Sequence, residues 1–383
     1  DVAVTAAISS LQRTGALDAD EQLTPLGRHL AALPVDVAIG RLILYGALLR
    51  CAEPILLIAA ALSDRSPFLA PLARRDEARA AQVCFNRDQS DHLALLDAHR
   101  KWQEARREGG ANAAHRFCDR HFLSERTLQG MSDAAQQYWG QLADLGLLPS
   151  LDPRMPDGAK DARRRAANEY ADNALVLKAV LCAGLFPNVL KAGWGKNAPT
   201  LTQQKQSVTI HPSSFNKGIK TFESGWLCYH EKVATSGKIF VHDCTAVTAL
   251  DLILFGAEPQ ILHAQHRVLI DGWIELRISP RTAVLCKALR HALSGMMTQR
   301  IADTLGTDDN GGGGGGIRKG DVKPDASRGM SGASGVLRAI VWLIARGTAT
   351  AESDEGGKGG AVAGKPAAGG KGGGTGGKGG GRK

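Results

Sequence analysis

Aromatic residues make up only 5% of this 383-residue chain, and several signatures that would settle its chemistry are missing. There is no Gly-x-x-x-x-Gly-Lys-Ser/Thr loop. The nearest strings, Ser236-Gly237-Lys238-Ile239 and Gly377-Lys378-Gly379, lack the spacing or the hydroxyl that would meet magnesium. Asp-Glu-x-His is absent too, so the chain by itself is not expected to hydrolyse ATP. Without a Gly-x-Ser-x-Gly elbow, nothing points to a serine hydrolase. The longest apolar stretch, Leu42 to Leu62, is interrupted by Arg50, Glu53 and Pro54, which are costly in hydrocarbon but suit two buried helices with a junction. No membrane partner is expected.

Cysteines are few, odd in number and spread singly through apolar contexts (51, 84, 118, 182, 228, 244 and 286), which reads as buried thiols in a reducing compartment, cytoplasm or nucleus. Cys228 and His230, with His242 and Cys244, stand at i, i+2 on two adjacent predicted strands, and could meet around zinc across a hairpin. Closer Cys-x-x-Cys knuckles on turns are the usual metal pattern, so no metal is expected. Helical spacing accounts for His115, Cys118 and His121.

What is present is positive charge and enough apolar residues for two or three cores. The net charge of +9 and pI near 9.3 favour a polyanionic partner, nucleic acid before membrane. Asp1 stands within an amphipathic helical pattern with no leader before it, so the chain reads as a piece of something longer.

In order, residues 1–50 give a helix with Val4, Ala7, Ile8 and Leu11 on one face, a short hairpin over Leu17 to Leu23, and a second helix opened by Thr24 and Pro25. That is the outline of a winged helix. Residues 51–150 read as a helical bundle, with Asn86 to Leu93 placing Ser90 or Asp91 at a helix N-terminus, where free amides suit either a plain cap or a phosphate. Residues 151–172, rich in Pro, Gly and charge and carrying Arg163, Arg164 and Arg165, read as a solvated linker. Residues 173–295 hold short strands with a helix at each end, including Val268 to Ile278 with Asp271-Gly272 as a turn or bulge, and suit an OB-fold-like barrel. A Gly-rich insert (296–335) and a Gly/Lys tail (347–383) have the composition of disorder, and between them 336–346 reads as a terminal helix docking back on the body.

The centre of the chain is Ser207 to Thr245. Runs around Val208, Trp226 to Tyr229 and Ile239 to Val241 have the grammar of antiparallel strands. Among them lie hydrogen-bonding and basic residues suited to a phosphate backbone: His211, Ser213 and Ser214 in one turn, Lys232, Thr235 and Ser236 in another, and Lys238 beyond it. A pair of solvated loops is the plainer reading. Trp226 and Tyr229 differ in strand parity, so at most one can face outward as a stacking platform.

The strings LTPLGRHLAALPVD, SPFLAP, QSDHLALLDAHRKW, FCDRHFLSERTL, VLKAVLCAGLFPNV, HPSSFN, WLCYHEKVATSGKIFVHDCT and LILFGAE occur in an order that resembles the C-terminal half of the DExH/DEAH-box RNA helicases. HPSS with YHEKV and DCT looks closest to the processive-type subgroup that resolves G-quadruplexes and serves translation initiation. The resemblance covers about 1–295. It implies a multi-domain α+β chain, with winged helix, ratchet-like helical bundle and OB-fold barrel followed by a disordered Gly/Lys-rich tail.

The resemblance also implies partners: single-stranded RNA held with little regard to sequence, activator proteins, and a RecA-like core in cis that supplies the site for ATP and Mg in the intact enzyme. No cofactor is expected in this chain itself. Carried across, the RNA-facing positions fall on Ser90, Asp91, His92, His211, Pro212, Ser213, Ser214, Lys232, Thr235 and Ser236. Two readings remain open: a fragment of a helicase, or a stand-alone RNA-binding or protein-interaction module without ATPase activity.

Overall fold

The computed structural model describes residues 2–193, 195, 199–235, 237–305 and 330–351. Its first three helices are α1 (Val2–Arg13), α2 (Pro25–Ala32) and α3 (Val37–Leu48). Between α1 and α2, Leu17 bridges Leu23, and the Asp18 N–H donates to Gln22 O at 3.0 Å, closing the small hairpin expected there. Thr24 caps α2 through the Gly27 N–H, with Pro25 at the first helical position, where its missing donor costs nothing.

The apolar stretch from Leu42 breaks where the spacing says it should. Arg50 takes a positive φ of 53° after α3, and α4 (Ala52–Leu62) starts again from Cys51. No single helix among the described residues is long and apolar enough to cross a membrane. The bundle continues through α5 (Arg75–Gln82), α6 (Asp91–His121, kinked at Gly109 and Gly110) and α7 (Glu125–Asp144). Its own core gathers Phe85, Trp102, Leu128 and Met131.

Residues 151–172 are not the solvated linker that their composition suggests. They contain a helix, α8 (Asp157–Ala167), held by specific contacts: Arg164 pairs with Glu53 on α4 and lies over the Trp139 ring, while Asn168 Oδ1 accepts the Glu53 N–H at 2.8 Å. Arg163 donates to Ser150 O at 3.1 Å. Charges of solvated appearance find partners on elements far away in sequence.

After α9 (Ala174–Leu185) comes a closed five-stranded barrel: β1 (Val189–Gly193), β2 (Thr200–Gln203), β3 (Gln206–Ile210), β4 (Trp226–Thr235) and β5 (Lys238–Ala246). The order around it is β1-β2-β3-β5-β4, every pairing antiparallel except the parallel β3–β5 contact. Closure pairs each strand on both sides. The barrel does not extend through residue 295. After α10 (Ala249–Phe255), the strands β6 (Gln260–Leu262), β7 (Arg267–Ile270) and β8 (Ile274–Arg277) make a separate three-stranded sheet, with Asp271 and Gly272 at positive φ in the β7–β8 turn.

Among the described residues two helices finish the fold, α11 (Pro280–Leu305), which runs past residue 295 into the expected Gly-rich insert, and α12 (Met330–Ala351). Leu337, Ile340 and Ile344 of α12 bury themselves in the main core beside α9, α10 and α11, so the terminal helix docks on the body. Most of the Gly-rich insert (306–329) and most of the tail (352–383) lie outside the described residues. The main core runs from α3 and α4 through α9 and α10 to β7, β8 and α12, whereas the barrel interior is a separate core of Leu190, Leu201, Val208, Ile210, Leu227, Tyr229, Val241 and Cys244. At the α3–α9 crossing a Cβ on Gly184 would stand 2.7 Å from Leu42 Cα, so only glycine permits that approach.

Candidate nucleic-acid interface

The residues singled out from sequence divide into two sets, one buried between bundle and barrel and one on the open side of the barrel. The buried set gathers at the first turn of α6. Ser90 is its N-cap, accepting the Leu93 N–H at 3.1 Å, and its hydroxyl lies 2.6 Å from Thr245 Oγ1 on β5. Thr245 Oγ1 is also 2.6 Å from His92 Nδ1. Thr245 Oγ1 thus bridges Ser90 and His92 in one buried chain. Burial first, with neighbouring His230 second, pulls the His92 pKa down to about 3, which keeps its ring neutral at neutral pH.

Asp91 ties the same turn to the barrel. Its carboxylate accepts from Ser214 Oγ (2.6 Å), the Phe215 N–H (2.8 Å) and the Cys244 N–H (2.8 Å). Burial pushes the Asp91 carboxyl up to about 6 against the pull of these donors, which leaves it ionised at neutral pH. Asn216 Nδ2 completes the seam by donating to Cys244 O at 2.8 Å. From the other side, Arg79 on α5 donates to Pro212 O (3.3 Å) and Lys217 O (3.2 Å). The turn after β3 is thus clamped between two helices of the bundle.

This corrects the first expectation. Ser90 and His92 are 0% exposed, Asp91 4% and Ser214 5%, and their side chains hydrogen-bond within the seam, with His92 Nε2 left unpaired. Their side chains join two domains and do not face a phosphate. A hydroxyl–histidine–carboxylate cluster has the same appearance in sequence whether it meets a ligand or another part of its own chain.

On the open side, His211 and Ser213 are at the surface of the clamped turn. His211 Nδ1 accepts the Ser213 N–H (3.2 Å) and lies 2.7 Å from Ser213 Oγ, and its ring stacks on His242 with centroids 4.0 Å apart. Burial, then His242 and Lys217, lowers the His211 pKa. Phe240 meets His211 edge-on at 5.7 Å. Trp226 and Tyr229 are both buried, one against the main core and one inside the barrel, so neither is the outward platform. The half-exposed rings here are Phe240 and His242, neither of which the sequence marks as a stacking surface.

The β4–β5 hairpin extends as an exposed ribbon over Glu231 to Thr235, closed at Gly237 with φ 97°. Lys232 belongs to this strand and not to the turn, and its Nζ donates to Gln203 Oε1 at 2.8 Å, an oxygen that also accepts the Tyr229 hydroxyl at 3.0 Å. Thr235 Oγ1 donates to Lys238 O at 3.0 Å, and Lys238 is exposed. Ser236 lies outside the described residues. Around Lys232 opens a cavity of about 1170 Å³ whose lining includes Arg13, Gln203, Gln204, Lys205, Gln206, Tyr229 and Trp273. Gln203 to Gln206, Arg13 and Trp273 escape a reading of the sequence, since three glutamines and a lysine at a strand turn are too common to mark a site.

The zinc arrangement fails on packing. Cys228 belongs to the main core and Cys244 to the barrel core, while the half-exposed His242 ring stacks on His211, so the four side chains do not converge. Cys84 departs from the buried thiols and is exposed.

Family models match consecutive parts of the chain: a winged-helix helicase-associated domain (HA2) over 7–35, its ratchet-like part over 36–136, an oligonucleotide/oligosaccharide-binding (OB) fold over 177–258, and the C-terminal domain of RNA helicases over 266–306. The chain belongs to the C-terminal accessory region of the DEAH-box helicases. It is 38% identical over 325 residues to the RNA helicase DHX57 of Homo sapiens, covering 76% of this chain and 23% of that protein. To human DHX36, an ATP-dependent DNA/RNA helicase, it is 37% identical over 307 residues (78% of this chain, 29% of DHX36). To human DHX29, an ATP-dependent RNA helicase, it is 32% identical over 306 residues (78% and 22%). The chain therefore spans less than a third of the length of these relatives. The match to the C-terminal helicase domain begins at residue 266, just before β7 and inside the separate sheet that follows the barrel.

Proposed function

We propose that this helicase accessory region binds and guides single-stranded RNA during unwinding, with the ATP-driven motor supplied by other segments of the intact enzyme. The observation that carries the reading is the open side of the barrel. The lysines paired with carboxylates among the described residues are Lys101, Lys160 and Lys287, so Lys232, Lys238 and Lys205 keep their charge for a polyanion. Lys232 is held toward the cavity mouth by a neutral amide, which orients the ammonium without neutralising it.

His211, Ser213, Thr235 and Lys238, with Ser236 next to Thr235 in the chain, would add phosphate and sugar contacts, grading affinity without reading bases. The chain's own residues do not suit a nucleoside triphosphate: the phosphate loop and its hydroxyl are missing, so ATP and Mg belong to the motor. Seven free cysteines suit a reducing compartment, cytoplasm or nucleus.

The test is the salt dependence of single-stranded RNA binding by the full chain. Affinity should fall steeply as salt rises, and replacing Lys232 and Lys238 together should lower the slope by about two. A shallow slope, unchanged in the double variant, would replace this reading by a protein-docking module, whose interface is mostly apolar.

A further inference from the structure

The cavity beside Lys232 is assembled from three modules. The end of α1 contributes Arg13, the β2–β3 turn and β4 contribute Gln203 to Gln206 with Lys232, and the β7–β8 turn contributes Trp273. At about 1170 Å³ it exceeds what a phosphate ion or a single side chain needs and reaches the scale of sites that enclose small organic ligands. Among the described residues its one acidic lining group, Asp271, is held by Arg13 at 2.6 Å, so the free charge in the lining is that of Lys205 and Lys232. Gln203 has its oxygen occupied twice, by Lys232 and the Tyr229 hydroxyl, which leaves its two amide hydrogens as donors. Gln204 is at φ 53° in the tight turn, placing it with Lys205 at the rim. Trp273 is half-buried, and its indole is braced by Trp226 at 6.0 Å and 59°.

Cations, side-chain amides that can both donate and accept, and a braced indole are together the requirements of a nucleotide: a phosphate to neutralise, base edges to hydrogen-bond and a π-face to stack. We infer that this cavity receives one nucleotide of the bound strand, with its phosphate on Lys205 and Lys232, its base on Trp273 and its edges among the Gln203 to Gln206 amides. The inference rests on the RNA-binding reading above and adds to it a base contact in a site that exists only when winged helix, barrel and C-terminal sheet are assembled. A patch of phosphate-binding lysines would treat a strand with bases and a strand without them alike. A cavity of this kind would not.

That difference is the experiment. Binding of the full chain is measured by fluorescence anisotropy with single-stranded RNA and with an abasic strand of the same length and charge. The base-bearing strand should bind about 5- to 100-fold more tightly, the effect of one stacked base. Trp273→Ala should erase that preference while leaving the abasic affinity unchanged, and Trp273→His, which keeps a ring, should restore part of it. Lys205→Ala should weaken both strands alike. Equal affinity for the two strands, or a preference that survives Trp273→Ala, overturns the nucleotide cavity and leaves the RNA-binding reading standing. Failure of either strand to bind at low salt overturns both.

Discussion

The seam between bundle and barrel and the open side of the barrel are built from the same residue types, and they do opposite things. At the seam, Ser90, Asp91, His92, Ser214 and Thr245 have exchanged water for one another through hydrogen bonds of 2.6 to 3.1 Å, with His92 Nε2 buried and without a partner. On the open side, Lys232 touches one neutral amide and Lys238 extends into solvent. A buried polar group left without a partner costs far more than an exposed one, so the seam is held to specific pairings, whereas the open side can leave its charges for a ligand. Polar residues at the seam should therefore report on stability, and those on the barrel's open side on binding.

The largest expected effect falls on the seam's hub. Asp91→Ala strands three donors at once and should lower unfolding free energy by about 3 kcal/mol in denaturant titrations. A loss under about 0.5 kcal/mol would show the clamp to be incidental. Close behind is Gly184→Ala, whose added carbon meets the Leu42 backbone and should cost about 2 kcal/mol through displacement of α9 from α3. Thr245→Val keeps the shape but breaks the Ser90-to-His92 chain, and should cost about 2 kcal/mol with the slope of RNA binding against salt unchanged. A changed slope would mean the seam touches RNA after all.

Protonation sharpens the same contrast. His92 and His99 are held at about 3 and about 4, below the unfolded value of 6.5, so they take up protons on unfolding, and their contribution is lost as pH falls below 6.5. Asp91, Asp243 and Asp251 are each pushed up to about 6, mainly by burial, so they release protons on unfolding between about pH 4 and 6, and their contribution is lost as pH rises through that window. The two groups oppose each other. Melting temperature followed from pH 4 to 6 should therefore tilt downward with rising pH in His92→Gln and upward in Asp91→Asn, relative to wild type. Tilts of the same sign would break the assignment. The smallest stability effect belongs to the double Lys232→Ala, Lys238→Ala variant, within about 0.5 kcal/mol of wild type, since neither lysine is buried.

Much of the fold is legible in the chain's local patterns. Thr24 with Pro25, and Ser90 before Asp91, announce helix starts because capping is a local hydrogen bond between residues three apart. The aromatic and apolar run from Trp226 to Tyr229 marks a strand through local composition as well. The α8 helix escapes such a reading because its Ala and Arg residues are good helix formers set in Pro-, Gly- and charge-rich surroundings, and its support comes from Glu53, more than a hundred residues earlier. The last strands read as part of the barrel because strand grammar carries no label for the sheet a strand will join.

By itself, then, the sequence determined the order of modules, their caps and turns, and the surplus of positive charge, all of which follow from neighbours along the chain. The tertiary structure alone decided which polar residues meet each other and which meet solvent. Ser90 and Thr245 are 155 positions apart, and Arg13, Lys205 and Trp273 come from three modules. Whether a hydroxyl or a lysine is spent or left available depends on what packing brings within hydrogen-bonding reach, and no local pattern encodes that distance.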